Sequence, residues 1–197
     1  MKASKLPKLT IQEYLLQEKE SGIRYEYHDG YIYSLAGGTI NHGLLCGNIY
    51  SELRNKLRAS NDSCKALTSE IRLNIPSLNA FVYPDTMVVC GEVEKSETDE
   101  NSVVNPILIV EVLSKSTADY DRGDKFYKYR QIPSLQEYVL IEQSKSSVEV
   151  FYKKPQTDLW SIKRYEGRSS IIELQSVGLQ IEMGDLYYDI EPDEFNT

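Results

Sequence analysis

The segment Ile107-Leu108-Ile109-Val110-Glu111-Val112-Leu113 is apolar at every position but one. A half-exposed strand alternates; a short run without alternation predicts a central strand covered on both faces. Such a strand commits the chain to a layered architecture, with helices or further sheet on either side. The exception, Glu111, is costly to bury unless it is paired or metal-bound. It either closes a strand end in an ion pair or serves a site, and charges inside central strands more often do the second.

The rest of the chain supplies the flanking layers. Thr10-Ile11-Gln12-Glu13 is a capping box and predicts a short helix to about Lys19. Tyr25 to Ala36 alternates around Asp29-Gly30, a hairpin turn signal. Asn41 to Ala59 carries Leu44, Leu45, Ile49, Leu53 and Leu57 at helical spacing, with Asn41 as the expected cap. Leu67 to Ile75 alternates as a half-buried strand, and Phe81 to Cys90 predicts a strand interrupted by Pro84. After the central strand, Ser116 or Thr117 caps a helix to about Arg130, and Leu135 to Ile141 follows as a strand. Val148 to Tyr152, Leu159 to Tyr165 and Ile171 to Leu174 read as antiparallel strands, the first two joined through Pro155-Gln156-Thr157-Asp158. The order predicts an α/β (α+β) fold: a central mixed sheet flanked by helices, with extra antiparallel hairpins. At 197 residues, one domain spanning 1–197 is expected, ending in an acidic tail (182–197) that packs only partly.

The net charge of −8 is unevenly spread. Residues 182–197 hold six acids and no base, and residues 92–100 hold five acids against Lys95, so the remainder is mildly basic at +2. A nucleic-acid partner therefore stays open, although no concentrated basic patch, zinc finger or long basic helix is present. Lys153, Lys154, Lys163 and Arg164 track a backbone or form a solvated face. No apolar run reaches the roughly 18 residues of a membrane span, and the N-terminus lacks the apolar core of a signal peptide. A cytoplasmic location is the expectation. Cys46, Cys64 and Cys90 are odd in number and form no CxxC, which predicts small buried hydrophobes rather than a disulfide or a thiolate zinc site.

Two more residues join Glu111. Asp85 follows Pro84 at the head of a strand, 26 residues before Glu111. Adjacent strands place two such carboxylates on one face, and oxygen ligands of that kind suit Mg²⁺. In the predicted helix, Thr117, Asp121, Lys125 and Tyr129 share a face at four-residue spacing. Lys125 either pairs with Asp121 on the surface or aims its ammonium at a scissile phosphate or attacking water. Gly123 costs this helix about 1 kcal/mol, which predicts close approach of a backbone or ligand there.

Tyr83-Pro84-Asp85, the run Ile109 to Thr117, and Asp121-Arg122-Gly123-Asp124-Lys125 with Tyr129 resemble the Uma family of restriction endonucleases in the PD-(D/E)xK superfamily. Tyr25-Glu26-Tyr27 through Asp29-Gly30, Asn41-His42 and Pro133 to Tyr138 match as well, so the resemblance runs from about Thr10 to Asp189. It implies a restriction-endonuclease-like core, Asp85 and Glu111 as ligands of Mg²⁺ or Mn²⁺, and hydrolysis of DNA phosphodiesters. The superfamily's lysine, two residues after the acid, is Leu113 here; the resemblance moves that role to Lys125. Glu26 and His42 match positions of less defined role: Glu26 as a further acid, His42 as a phosphate contact or a cap, while His28 lies outside the pattern and is expected at the surface. A twofold homodimer suits cutting both strands of a duplex. The alternative is a catalytically impaired nuclease fold that binds nucleic acid or regulates; RNA or branched DNA is a third substrate class.

Overall fold

The computed structural model describes residues 8–35, 37–60, 63–115 and 117–191. The Thr10 capping box forms as the sequence predicts, with Glu13 N donating to Thr10 Oγ1 and Thr10 N to Glu13 Oε2, and opens α1 (Ile11–Ser21). Gly22 ends that helix at φ +67°, a left-handed cap that favours glycine. β1 (Tyr25–His28) and β2 (Tyr31–Ser34) pair around Asp29-Gly30, both at positive φ, the twist a two-residue hairpin needs. In α2 (Ile40–Ala59), Leu45, Ile49, Leu53 and Leu57 form the buried stripe. Its cap is Thr39, which accepts from His42 N; the expected cap Asn41 lies inside the helix and donates instead to Glu191 O.

The single strand expected over Leu67 to Ile75 is two: β3 (Cys64–Thr68) and β4 (Arg72–Ile75). Ile71 N bonds Thr68 O and Glu70 N bonds Thr68 Oγ1, a tight turn hidden in the sequence because alternation continues across it. Pro84 likewise separates β5 (Ala80–Val82) from β6 (Thr86–Cys90). The short β7 (Ser102–Val103) precedes β8 (Leu108–Leu113), whose six residues are all buried. The helix after β8 has three parts: α3 (Ala118–Tyr120), a π turn over Asp121–Lys125, and α4 (Phe126–Tyr129). Thr117 makes no side-chain capping bond to it, and Ser116 lies outside the described residues. β9 (Glu137–Glu142), β10 (Ser147–Lys153) and β11 (Trp160–Glu166) follow, then the hairpin β12 (Ile171–Leu174) and β13 (Leu179–Glu182), and the turn-length α5 (Met183–Leu186).

The main sheet runs β11-β10-β9-β8-β6-β3. β8 pairs parallel with β9 and antiparallel with β6, so the sheet is mixed, as expected. A second sheet, β2-β1-β5-β4-β7, stands beside it. On one face of the main sheet, Val88, Val110, Val112, Val139 and Ile141 pack with the α2 stripe and with Ile181, Met183 and Leu186. On the other, Met87, Ile109, Leu113 and Tyr138 pack with Tyr129 and with Leu73 and Val82 of the second sheet. The acidic C-terminal segment joins the first core further than expected: Tyr187 and Ile190 are buried, and Asn48 donates to Leu186 O and Tyr188 O. Residues 192–197 of that tail, residues 1–7 and Ala36 lie outside the described residues. Among the described residues no helix is long and apolar enough to cross a membrane.

Two expectations are overturned. Cys64 and Cys90 form a disulfide. They face each other across the β3–β6 register, a proximity that sequence spacing alone does not reveal. Gly123 makes no close approach to the chain: a Cβ there would meet no atom within 4 Å.

Two stability predictions follow from this packing. Glu137 is fully buried at the start of β9, where its carboxylate accepts from Gln175 N, Ser176 N and Ser176 Oγ and ties the β12–β13 hairpin to the main sheet. Glu137→Ala should cost about 1–3 kcal/mol in urea unfolding, and an unchanged midpoint would remove this tie as a stabilising feature. Gly123→Ala should gain about 0.4–1 kcal/mol, because the added methyl meets open space and restricts the unfolded chain; a lowered melting temperature would show that the π turn needs glycine.

Candidate active site

Asp85 sits in the bend between Pro84 and β6, opposite the middle of β8. Val112 N donates to its Oδ2 at 2.8 Å, which fixes the carboxylate beside the residue that follows Glu111. From α2, His42 Nε2 lies 3.5 Å from the same oxygen. Burial on its own would raise Asp85; the contact with His42 and the Val112 amide hold it below the usual carboxylate range.

Glu111 points to the sheet face that carries the π turn. Lys125 Nζ lies 2.8 Å from its Oε1, and Tyr129 OH donates to that oxygen at 2.7 Å. Burial pushes the Glu111 carboxyl up to about 8; Lys125 opposes the shift, while the charges of Asp85 and Asp121 add to it. Burial would lower Lys125, yet the surrounding carboxylates Glu111, Glu26 and Asp121 outweigh it and hold the ammonium above its ordinary value. The π turn keeps Asp121 and Lys125 both buried, with Asp121 Oδ1 3.5 Å from Nζ. Tyr138 OH donates to Asp121 O and anchors the turn to β9. π turns recur at functional sites.

Glu26 arrives from the second sheet, with Oε1 4.0 Å from Lys125 Nζ. Its other oxygen meets His28 Nε2 at 3.1 Å, and His28 Nδ1 lies 3.4 Å from Lys128 Nζ. Burial would raise Glu26, and His28, Lys125 and Lys128 hold it below its ordinary value. The expectation of His28 as a surface residue is therefore corrected. Residues i and i+2 of a strand share a face, so the placement of Glu26 already implied that of His28.

Of the residues expected at the site, Glu26, Glu111, Asp121 and Lys125 converge, and Asp85 with His42 adjoins them across β8. Leu113, at the usual lysine position, is buried in the core. The sequence reading did not assign roles to Cys46, Tyr129, His28 or Lys128. Cys46 Sγ lies 3.5 Å from His42 Nδ1, and its i, i+4 spacing from His42 on α2 was the available signal. Two open depressions of about 510 and 520 Å³ lie elsewhere, one beside Pro133 and Tyr152, the other beside Lys56 and Leu174; neither is lined by any of these residues. These polar side chains meet instead between the main sheet, the second sheet and the π turn.

Three carboxylates, Glu26, Glu111 and Asp121, thus surround one buried lysine, and Asp85 adjoins them with His42 at the margin. Oxygen donors in that excess can hold a hard divalent cation, and the ammonium can stabilise an anion placed beside it.

The family described as "Uma2: Putative restriction endonuclease" matches residues 11–184. The uncharacterized protein slr1290 of Synechocystis sp. is 33% identical over 181 residues, covering 92% of each chain. The uncharacterized protein sll1609 of the same organism is 36% identical over 165 residues, covering 84% of this chain and 92% of the relative. A crystal structure from Anabaena variabilis, described as a putative nuclease belonging to DUF820, superposes with a TM-score of 0.71 over 91% of this chain and 98% of the other. At 17% identity that likeness shows the fold. With the family matched over most of its length and relatives above 30% identity, the chain belongs to the Uma2 family, described as "putative restriction endonuclease".

Proposed function

We propose that this protein is a metal-dependent endonuclease that hydrolyses DNA phosphodiester bonds, with Asp85, Glu111 and Lys125 as its working residues. The observation that carries the proposal is a local excess of acid: Glu26, Glu111 and Asp121 all lie within 4.0 Å of one buried lysine, and Asp85 adjoins them beside His42. A desolvated cluster of that sign is costly by itself and is relieved by a bound cation. The donor set fits Mg²⁺ or Mn²⁺. Asp85, from the bend before β6, and Glu111, from the neighbouring β8, supply the carboxylates. Bound there, such an ion would lower the pKa of a coordinated water and offset charge on the phosphate. The family description supports DNA as the substrate class.

The chain's own groups have separable tasks. Tyr129 and Lys125 fix the Glu111 carboxylate. Val112 N fixes Asp85. Lys125, kept charged by its three acids, holds a positive centre where negative charge develops on the phosphate. Glu26 and Asp121 position the ammonium.

A second reading has its own observation. Lys125 is committed to Glu111 at 2.8 Å before any substrate arrives, and Leu113 supplies no replacement. A protein that binds nucleic acid without cutting it would tolerate that arrangement.

Plasmid cleavage with Mg²⁺ or Mn²⁺ separates the two. The native protein should cut, and Glu111→Ala and Lys125→Ala should each lower the rate by about 10²–10³-fold or more, with folding checked by circular dichroism. Binding without cleavage under either ion, unchanged in Asp85→Ala, would establish the second reading. Tyr129→Phe removes one hydrogen bond to the buried Glu111 carboxyl; it should cost about 1–3 kcal/mol in stability and reduce cleavage less than Glu111→Ala does. Cleavage equal to the native rate with unchanged stability would show that Tyr129 does not hold Glu111.

A further inference from the structure

We propose that His42, Cys46 and Asp85 form a second cation site that takes a borderline-soft divalent ion of the Zn²⁺ class. One ring nitrogen of His42, the sulfur of Cys46 and a carboxylate oxygen of Asp85 all lie within 4.8 Å of one another. Cys46 Sγ and His42 Nδ1 are 3.5 Å apart, and His42 Nε2 and Asp85 Oδ2 are 3.5 Å apart. Ligand bonds to zinc run about 2.0–2.3 Å, so tetrahedral donors stand roughly 3.2–3.7 Å from one another. The two 3.5 Å contacts fall on different ring nitrogens, so the single nitrogen that would bind stands within 4.8 Å of the sulfur and the carboxylate oxygen, and the imidazole must turn to close the remaining gap. The three side chains are half-buried, so an ion can enter and keep water in its fourth position.

The donor chemistry separates this site from the acid pair. A nitrogen, a sulfur and one oxygen favour zinc-like ions, whereas Mg²⁺ takes oxygen and disfavours thiol. The frame is rigid on both sides. His42 and Cys46 share one face of the 20-residue α2 at i, i+4, and Thr39 caps that helix through His42 N. The Val112 amide holds Asp85, the kind of outer contact that orients a ligand. Gly38 leaves room for the ring: a Cβ there would stand 2.9 Å from His42 Nδ1.

A thiol, an imidazole and a carboxylate in a row also resemble a cysteine nucleophile with its base. The surroundings oppose that use. Burial and the charges of Asp85 and Glu111 raise the Cys46 thiol far above the range of an activated thiolate. The same negative charges favour a cation.

Asp85 belongs to both sites. An ion held by His42 and Cys46 engages the carboxylate that would otherwise serve with Glu111, so a zinc-class ion should inhibit an Mg²⁺-dependent reaction. That consequence rests on the proposed nuclease reading; the site itself does not.

Cobalt(II) titration of the full chain, with the Cys64–Cys90 disulfide intact, tests the site without any cleavage assay. One equivalent of Co²⁺ should produce a near-ultraviolet thiolate-to-cobalt charge-transfer band, which Zn²⁺ displaces and a large excess of Mg²⁺ does not. Cys46→Ser should abolish the band and weaken Zn²⁺ binding by at least about tenfold, while Glu111→Gln leaves the band in place. A native spectrum without a thiolate band, a band that survives in Cys46→Ser, or a band lost in a folded Glu111→Gln would each overturn the proposal. Loss of nuclease activity would leave this result untouched, and an absent band would leave the nuclease reading standing.

Discussion

The contact between Glu111 and Lys125 governs how this molecule is assembled. β8 is covered on both faces, so its one carboxylate is almost fully buried. A buried ion pair with one partner removed costs about 3–5 kcal/mol. The segment that carries Lys125 must therefore dock on that face of the sheet. Docking is not left to the pair alone. Phe126 stacks on Tyr138, Tyr129 meets Tyr138 edge to face, and Tyr138 OH reaches back to Asp121 O. Fold and candidate site are the same interaction seen from two sides.

Other ion pairs in the molecule show what a structural solution looks like. Arg122 bridges Glu142 and Glu149, and Arg164 adds a second cation to Glu149, so two bases meet two acids at the partly solvated edge of the sheet. Such pairs are screened by water and contribute little each. The cluster around Lys125 differs: three acids meet one base, and Glu111, Asp121 and Lys125 are all buried. Packing gains nothing from that excess, because an apolar core of the same volume would be at least as stable.

Much of this was legible in the chain. The uninterrupted apolar run located β8, the Thr10 capping box located α1, and Asp29-Gly30 located the first hairpin, each through strictly local physics. Glu111 stood out because it conflicts with its apolar strand; Asp85 and Lys125 gained weight only beside it and through the family resemblance. What the sequence hid was relative placement. Leu67 to Ile75 kept its alternation across a turn, so one strand was expected where two belong to different sheets. Cys64 and Cys90 lie 26 positions apart and meet only through the β3–β6 register. Cys46 was taken for a small hydrophobe because its neighbour Asp85 comes from another element. The π turn left no trace beyond Gly123, since an α-helix and a π turn place Asp121 and Lys125 on nearly the same face.

The position of the lysine follows from the geometry of the strand. A lysine two residues after the acid would sit on the same face, roughly 7 Å along the strand, and would lie beside the acid rather than over it. In this chain that position is Leu113, which packs against the core and seals the strand's end. A lysine from the facing helix meets Glu111 head-on, and it can be surrounded by acids from three elements: β1, β8 and its own helix. The cost is that its position depends on how the helix docks. The π turn, which turns both Asp121 and Lys125 inward, and the Tyr138 bond to Asp121 O meet that need. Moving the cation from strand to helix therefore exchanges a position fixed by register for one fixed by packing, and the aromatic cluster beneath the turn is what makes that exchange hold.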